Sequence, residues 1–440
     1  MKVSIIRKAL AVAIISLYAM SNAYAQTGTW SGKLDIQGTE LAIVFHLDDN
    51  QATMDSPDQG VKGLPAQLKR GPEGKITIRI PSLAIKYEGQ WQDDRITGTF
   101  TQMNASLPLT LTPGENKPNR PQTPVGPFPY TTEEVSFTND GYTFNGTLAL
   151  PEGFSRSTPV LLMVTGSGQQ NRNEELFDHK PFAVIADALA RAGIATLRYD
   201  DRGFGDATAN PSDWTTEDFK SDALAGIELL RKRFDKVGVL GHSEGGTIAM
   251  MIAAEHKADF IVSLAGMAVS GAETLISQNR IALQEAGFTD AQTDSYCRLL
   301  EKAFDASVNG GTMPDAKDYD IPKSLKDNYK GVVRQIQAPY MAHFLSMDVR
   351  PILGNISCPV LALNGSKDNQ VNCESNLSAL RNGLHANSKN CIEAIEGTNH
   401  LFQHCETGAV AEYKTIEETI APEVLEKIIN WITCFKTDTQ

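Results

Sequence analysis

Lys236-Val237-Gly238-Val239-Leu240-Gly241-His242-Ser243-Glu244-Gly245-Gly246-Thr247-Ile248-Ala249-Met250 decides the fold. Its first half is a short apolar run, which reads as a strand buried on both faces. Its second half opens a helix predicted over Gly245 to His256. At the join, Gly241-His242-Ser243-Glu244-Gly245 fits the pattern G-x-S-x-G. A serine between strand and helix must sit on a tight, strained turn, and small neighbours relieve the crowding. The helix start then directs its dipole and unpaired N–H groups at the reaction centre. Ser243 is therefore the candidate nucleophile.

Working outward, strands and helices alternate. Val160 to Val164, Ile194 to Tyr199, Phe260 to Leu264, Val360 to Leu363 and Cys391 to Ile395 read as strands. Phe182 to Ala192, Thr216 to Phe234, Glu374 to Asn382 and Glu423 to Phe435 have helical spacing. This predicts an α/β domain over residues 131–440, a mostly parallel sheet flanked by helices. A strand pair, Glu134 to Phe137 and Thr143 to Leu150, leads into it. Residues 270–345 are helix-rich with no buried strand, too long for a plain loop, and predict a helical cap.

A serine nucleophile needs a base. His400, in Gly397-Thr398-Asn399-His400-Leu401-Phe402, follows the last strand; His404 is the rival. His242 is expected to point away from the reaction and to make local hydrogen bonds. Asp368 follows the strand that begins at Val360 and is the candidate acid that orients the imidazole. Ser…Asp…His is the chain order of a triad on such a sheet. The oxyanion donors are expected from the N–H of Glu244 and from one of Ser167, Gly168 and Gln169, in the loop after Val164. That loop lacks the Lys-Ser/Thr pair of a phosphate-binding loop. Asp200-Asp201-Arg202 is expected to fix a turn through charge-assisted hydrogen bonds, with no metal and no cofactor.

Residues 27–112 alternate with period two, as in Leu41 to Leu47, Lys75 to Ile80 and Arg95 to Phe100. They predict a small antiparallel β-barrel or β-sandwich, with His46 structural. Trp30, Tyr87 and Trp91 offer it a binding face for a glycan or protein, or pack its core. Residues 113–130 carry Pro113, Pro118, Pro121, Pro124, Pro127 and Pro129, which marks a stiff linker.

Lys2, Arg7 and Lys8 precede an apolar run from Ala9 to Met20, and Ala23-Tyr24-Ala25 follows. This is the pattern of a secretory signal peptide over residues 1–25, cut after Ala25. The expected location is periplasmic or secreted, with no transmembrane anchor in the mature chain. The chain has 440 residues and a net charge of −13, which argues against nucleic acid as a partner. Its six cysteines all lie in the last third. In an exported protein they suggest disulfides, with Cys373–Cys391 and Cys405–Cys434 as the expected pairs.

Gly166-Ser167-Gly168, Tyr199-Asp200-Asp201-Arg202-Gly203, Gly241-His242-Ser243-Glu244-Gly245-Gly246, Asn364-Gly365-Ser366-Lys367-Asp368 and Asn399-His400-Leu401-Phe402-Gln403 stand in one order. Together they resemble the α/β-hydrolase superfamily, in its bacterial esterase and serine-aminopeptidase-like branch, over residues 133–435. The resemblance implies Ser243 as nucleophile, Asp368 as acid, His400 as base and a helical cap over the site. It departs from many esterases in having Gly-Ser-Gly where they carry His-Gly. The first expectation is an exported serine esterase acting on a small ester or amide substrate. The second is an aminopeptidase, with Glu174, Glu175, Asp178 and Glu244 as candidate anchors for a terminal ammonium. The third is a binding protein working through its β domain. Met313, Tyr340, Phe344 and Met347 are expected to line the acyl pocket or to pack the cap.

Overall fold

The computed structural model describes residues 27–36, 39–49, 51–59, 61–92, 94–103, 105–115, 119–206 and 208–434. The expected signal peptide and the expected cut after Ala25 lie outside the described residues. The chain divides after Lys117 into two compact units.

The first unit is a closed barrel of β1 (Gly28–Ile36), β2 (Thr39–Leu47), β3 (Ala52–Ser56), β4 (Val61–Arg70), β5 (Lys75–Ile80), β6 (Ile85–Gln92), β7 (Arg95–Gln102) and β8 (Ala105–Pro113). Each strand pairs antiparallel with the next. Ser31 opposite Thr112 closes the ring. The period-two alternation sends Leu34, Ile43, Phe45, Ile78, Tyr87, Ile96 and Leu111 inward, so the interior is packed with side chains. Tyr87 is fully buried and donates its hydroxyl to the carbonyls of Ile96 and Leu109. Trp30 is buried too, with Trp91 edge-on against it at 4.6 Å. Trp30 and Tyr87 therefore pack the barrel core, and half-buried Trp91 packs against it. His46 bridges Thr29 and Asp55 at 3.0 and 2.9 Å, the structural role expected of it.

The second unit holds an eight-stranded mixed sheet in the order β16-β15-β14-β13-β11-β12-β10-β9. β9 (Thr131–Asn139) and β10 (Tyr142–Leu150) form a hairpin at one edge, in which β10 runs antiparallel to both β9 and β12. β11 (Val160–Val164), β12 (Ala195–Tyr199), β13 (Val237–His242), β14 (Ile261–Leu264), β15 (Val360–Gly365) and β16 (Cys391–Ile395) are parallel. The continuous apolar runs follow from burial on both faces. Val160, Leu162 and Val164 enter one core, while Leu161 and Met163 enter the other. α1 (Pro181–Arg191) covers the second face, through Phe182, Ile185 and Leu189. α2 (Thr216–Arg231) and α3 (Glu244–Ala254) cover the first.

Between β14 and β15 the chain builds the cap: α4 (Gly271–Glu285), α5 (Asp290–Asn309), α6 (Lys323–Gln335) and α7 (Pro339–Ser346). Ser270 with Glu273, and Thr289 with Gln292, form capping boxes that start the two long helices. The cap has its own core of Leu283, Tyr296, Leu300, Phe304, Leu325, Tyr329 and Ile336. Met313 packs on that core, whereas Phe344 and Met347 pack into the core beneath the sheet. α8 (Cys373–Gly383) and α9 (Pro422–Thr433) complete the layers. No helix among the described residues is long and apolar enough to cross a membrane.

One expectation needs correction. Neither disulfide forms, because Cys373, Cys391 and Cys405 are thiols. Each is turned to a local acceptor instead: Cys373 to the carbonyl of Asn364, Cys391 to Glu393 and Cys405 to the carbonyl of Gly397. Part of the Pro-rich segment is held by hydrogen bonds within the second unit. Arg120 donates to the carbonyls of Phe177, Lys414 and Ile416. Gln122 accepts from the amide of Ile420 and donates to its carbonyl. These bonds tie residues 120–122 to Phe177 and to the loop before α9.

Candidate active site

The elbow forms because only glycine fits on either side of Ser243. A Cβ on Gly241 would lie 1.9 Å from the carbonyl oxygen of Gly245. One on Gly245 would lie 2.1 Å from that of Val164. Ser243 itself has φ 54° and ψ −121°, a strained conformation for a residue with a side chain. Its amide donates to Leu264 at 2.8 Å and anchors the turn to β14. Glu244 is the first residue of α3, so its N–H has no acceptor within the helix.

The loop after β11 packs against the serine: a Cβ on Gly166 would sit 3.2 Å from the Cβ of Ser243. The amide of Gly166 donates to Glu174, and that of Gln170 donates to Asp201. The amides of Ser167, Gly168 and Gln169 lie between these two fixed points. Asp201 also accepts the Thr165 hydroxyl at 2.9 Å. Burial pushes the Asp201 carboxyl well above the usual range, against the lowering effect of these donors. Asp200 holds Arg172 through both carboxylate oxygens, at 2.6 and 3.2 Å. Arg202 pairs with buried Asp222 at 2.7 and 2.9 Å. The Asp200-Asp201-Arg202 turn therefore braces the loop beside the elbow.

β15 and β16 deliver the other two residues to the same sheet edge. His400 Nδ1 lies 2.7 Å from Asp368 Oδ2, and both side chains are buried. Asp368 Oδ1 accepts the amides of Gln370 and Val371, each at 2.8 Å. Asn364 donates to Oδ2 at 3.3 Å. These donors aim the carboxylate at the imidazole. Ser243 makes no hydrogen bond to His400 among the described residues; the ring of its neighbour His242 lies 4.8 Å from the ring of His400. A nucleophile–base contact is often loose without substrate. His404 is half exposed between Glu418 and Glu423, which hold its pKa above the ordinary value, and it stands apart from Asp368.

Sequence reasoning missed what holds Glu244 and His242. Glu244 accepts the hydroxyls of Thr216 and Tyr340, both at 2.6 Å. Tyr340 comes from α7 of the cap, nearly a hundred positions away. Burial and the adjacent Glu244 push its hydroxyl pKa up. His242 contacts Glu174 and the carbonyl of His400, at 2.9 Å each. Local pattern carries no trace of such partners. Tyr340→Phe leaves Glu244 Oε2 short of a partner and is expected to cost about 1–3 kcal/mol. A fall in the urea midpoint with an unchanged m-value checks this; an unchanged midpoint contradicts it.

No group of His, Cys, Asp and Glu suited to a metal ion occurs among the described residues. A sequence profile of the alpha/beta hydrolase family matches residues 161–412. The chain is 27% identical over 307 residues to Esterase EstD of Thermotoga maritima, covering 69% of this chain and 68% of that protein. It is 24% identical to the human Serine hydrolase BPHL over 48% of this chain and 62% of that one. Among solved structures, Est1E of Butyrivibrio proteoclasticus is similar over 68% of this chain and 99% of its own, at 20% identity and a TM-score of 0.40. The elbow, the sheet order and the profile match agree: the chain belongs to the alpha/beta hydrolase family.

Proposed function

We propose that this protein is an exported serine hydrolase of carboxylic esters. The observation that carries the reading is the pairing of His400 with Asp368 at the sheet edge where Ser243 occupies its strained turn. In this reading Ser243 Oγ attacks the acyl carbon and His400 takes its proton on Nε2. The Asp368 carboxylate holds the Nδ1–H and stabilises the imidazolium. The oxyanion accepts the N–H of Glu244 and one N–H from Ser167, Gly168 or Gln169. His400 then protonates the departing alkoxide, and water hydrolyses the acyl-enzyme with His400 as base again. Export rests on the pattern of residues 1–25, and mass spectrometry of the mature N-terminus tests it.

The candidate anchors for a peptide's terminal ammonium are partly occupied. Both oxygens of Glu244 accept hydroxyls, and Glu174 Oε1 accepts Gly166 and faces His242. This supports esters over peptides, as does the esterase name of the Thermotoga maritima relative. A panel of short-chain p-nitrophenyl esters and amino-acyl p-nitroanilides tests it. Ester turnover is expected to exceed anilide turnover by orders of magnitude. Anilide turnover that matches it, and is abolished by N-acetylation, would make the enzyme an aminopeptidase.

A further inference from the structure

His242 and Glu174 join three loops of the site. Glu174 Oε1 accepts the Gly166 amide at 2.7 Å and lies 2.9 Å from His242 Nδ1. His242 Nε2 lies 2.9 Å from the carbonyl oxygen of His400. That carbonyl can only accept, so Nε2 carries a proton. Oε1 already accepts from Gly166, and a bare Nδ1 would set lone pair against lone pair. A neutral imidazole has a single N–H and serves one of the two contacts. Both bonds together require one further proton on the pair, written here as an imidazolium beside a carboxylate. Both side chains are buried, and Glu174 Oε2 has no hydrogen-bond partner among the described residues.

We propose that Glu174 and His242 are positioning residues, whose extra proton ties the amide-bearing loop after β11 to the loop that carries the catalytic base. This rests on the assignment of Ser243 and His400 above. The link runs from the Gly166 N–H through Glu174 and His242 to the His400 carbonyl. It therefore sets the separation of oxyanion donors and base, with the nucleophile next in chain to His242. The ionisable groups facing His242 are Glu174, the His400 ring and, further off, Asp368. Burial lowers the pKa of His242, but Glu174, the His400 carbonyl and Asp368 together raise it above the ordinary imidazole value. The link is lost as the pH rises through that raised pKa.

The test is the rate of Ser243 phosphonylation by a fluorophosphonate across mildly acidic to alkaline pH, with the full-length protein, E174Q and H242Q. The wild type is expected to give a bell, with the Glu174–His242 pair setting its alkaline limb. Glutamine at 174 still accepts the Gly166 amide but offers no counter-charge. E174Q is expected to label about tenfold more slowly at neutral pH, with its alkaline limb about one unit lower. H242Q is expected to lose the alkaline limb and keep the acid limb. For both variants the ester KM stays near wild type while kcat falls, because neither side chain touches substrate. Thermal melts report folding, and either variant that folds decides the matter. A wild-type rate that stays flat into alkaline pH, or a folded variant with the wild-type rate and limb, overturns the positioning role. A wild type that is not labelled at Ser243 refutes the serine-hydrolase reading itself.

Discussion

Ser243→Ala is expected to lower kcat for ester hydrolysis by about 10⁶-fold, with KM little changed. In the proposed mechanism the attacking atom is then gone. The fold should survive. Ser243 Oγ makes no hydrogen bond to His400 among the described residues, and the backbone amide still anchors the turn to Leu264. Alanine also fits where the serine Cβ now sits against Gly166. Steady-state kinetics beside a thermal melt check this. Turnover within tenfold of wild type in a folded variant contradicts it.

Asp368→Asn is expected to cost about 10⁴-fold in kcat, again with the fold intact. Asparagine keeps an oxygen to accept the amides of Gln370 and Val371. Its NH₂ group then faces His400 Nδ1, where the carboxylate oxygen stood at 2.7 Å. Two N–H groups cannot share that contact. The imidazole turns to the tautomer with its proton on Nε2, which cannot accept the Ser243 proton. The loss should be uniform across ester substrates, because Asp368 acts through the imidazole and not on the acyl group. A variant with near wild-type kcat would place the orienting acid elsewhere.

What was legible beforehand follows from range. Val160 to Val164 announces a doubly covered strand because each residue is buried on one face or the other, so none is polar. The elbow is legible because its crowding is local: Gly241 and Gly245 sit within two positions of Ser243. The cap is legible as a long helix-rich stretch with no buried strand, and the structure starts its two long helices at capping boxes. Barrel closure is different. It pairs Ser31 with Thr112, and alternation along each strand suits a sandwich as well as a ring. The roles of Glu174 and Tyr340 depend on partners 68 and 96 positions away. In sequence Glu174 is a candidate anchor or a loop-fixing charge; in the structure its Oε1 is engaged by the Gly166 amide and His242. Cysteine count and expected export suggested disulfides, yet the thiols of Cys373, Cys391 and Cys405 have nearer acceptors.

The central claim is that Ser243 is a nucleophile made reactive by His400 and Asp368. Stoichiometric reaction with a fluorophosphonate, followed by peptide mass mapping, tests it most directly. One adduct per chain is expected on the peptide containing Ser243, formed slowly in Asp368→Asn and absent in Ser243→Ala. No adduct at Ser243 in the folded wild-type protein, or an adduct on another residue that persists in Ser243→Ala, would contradict the account.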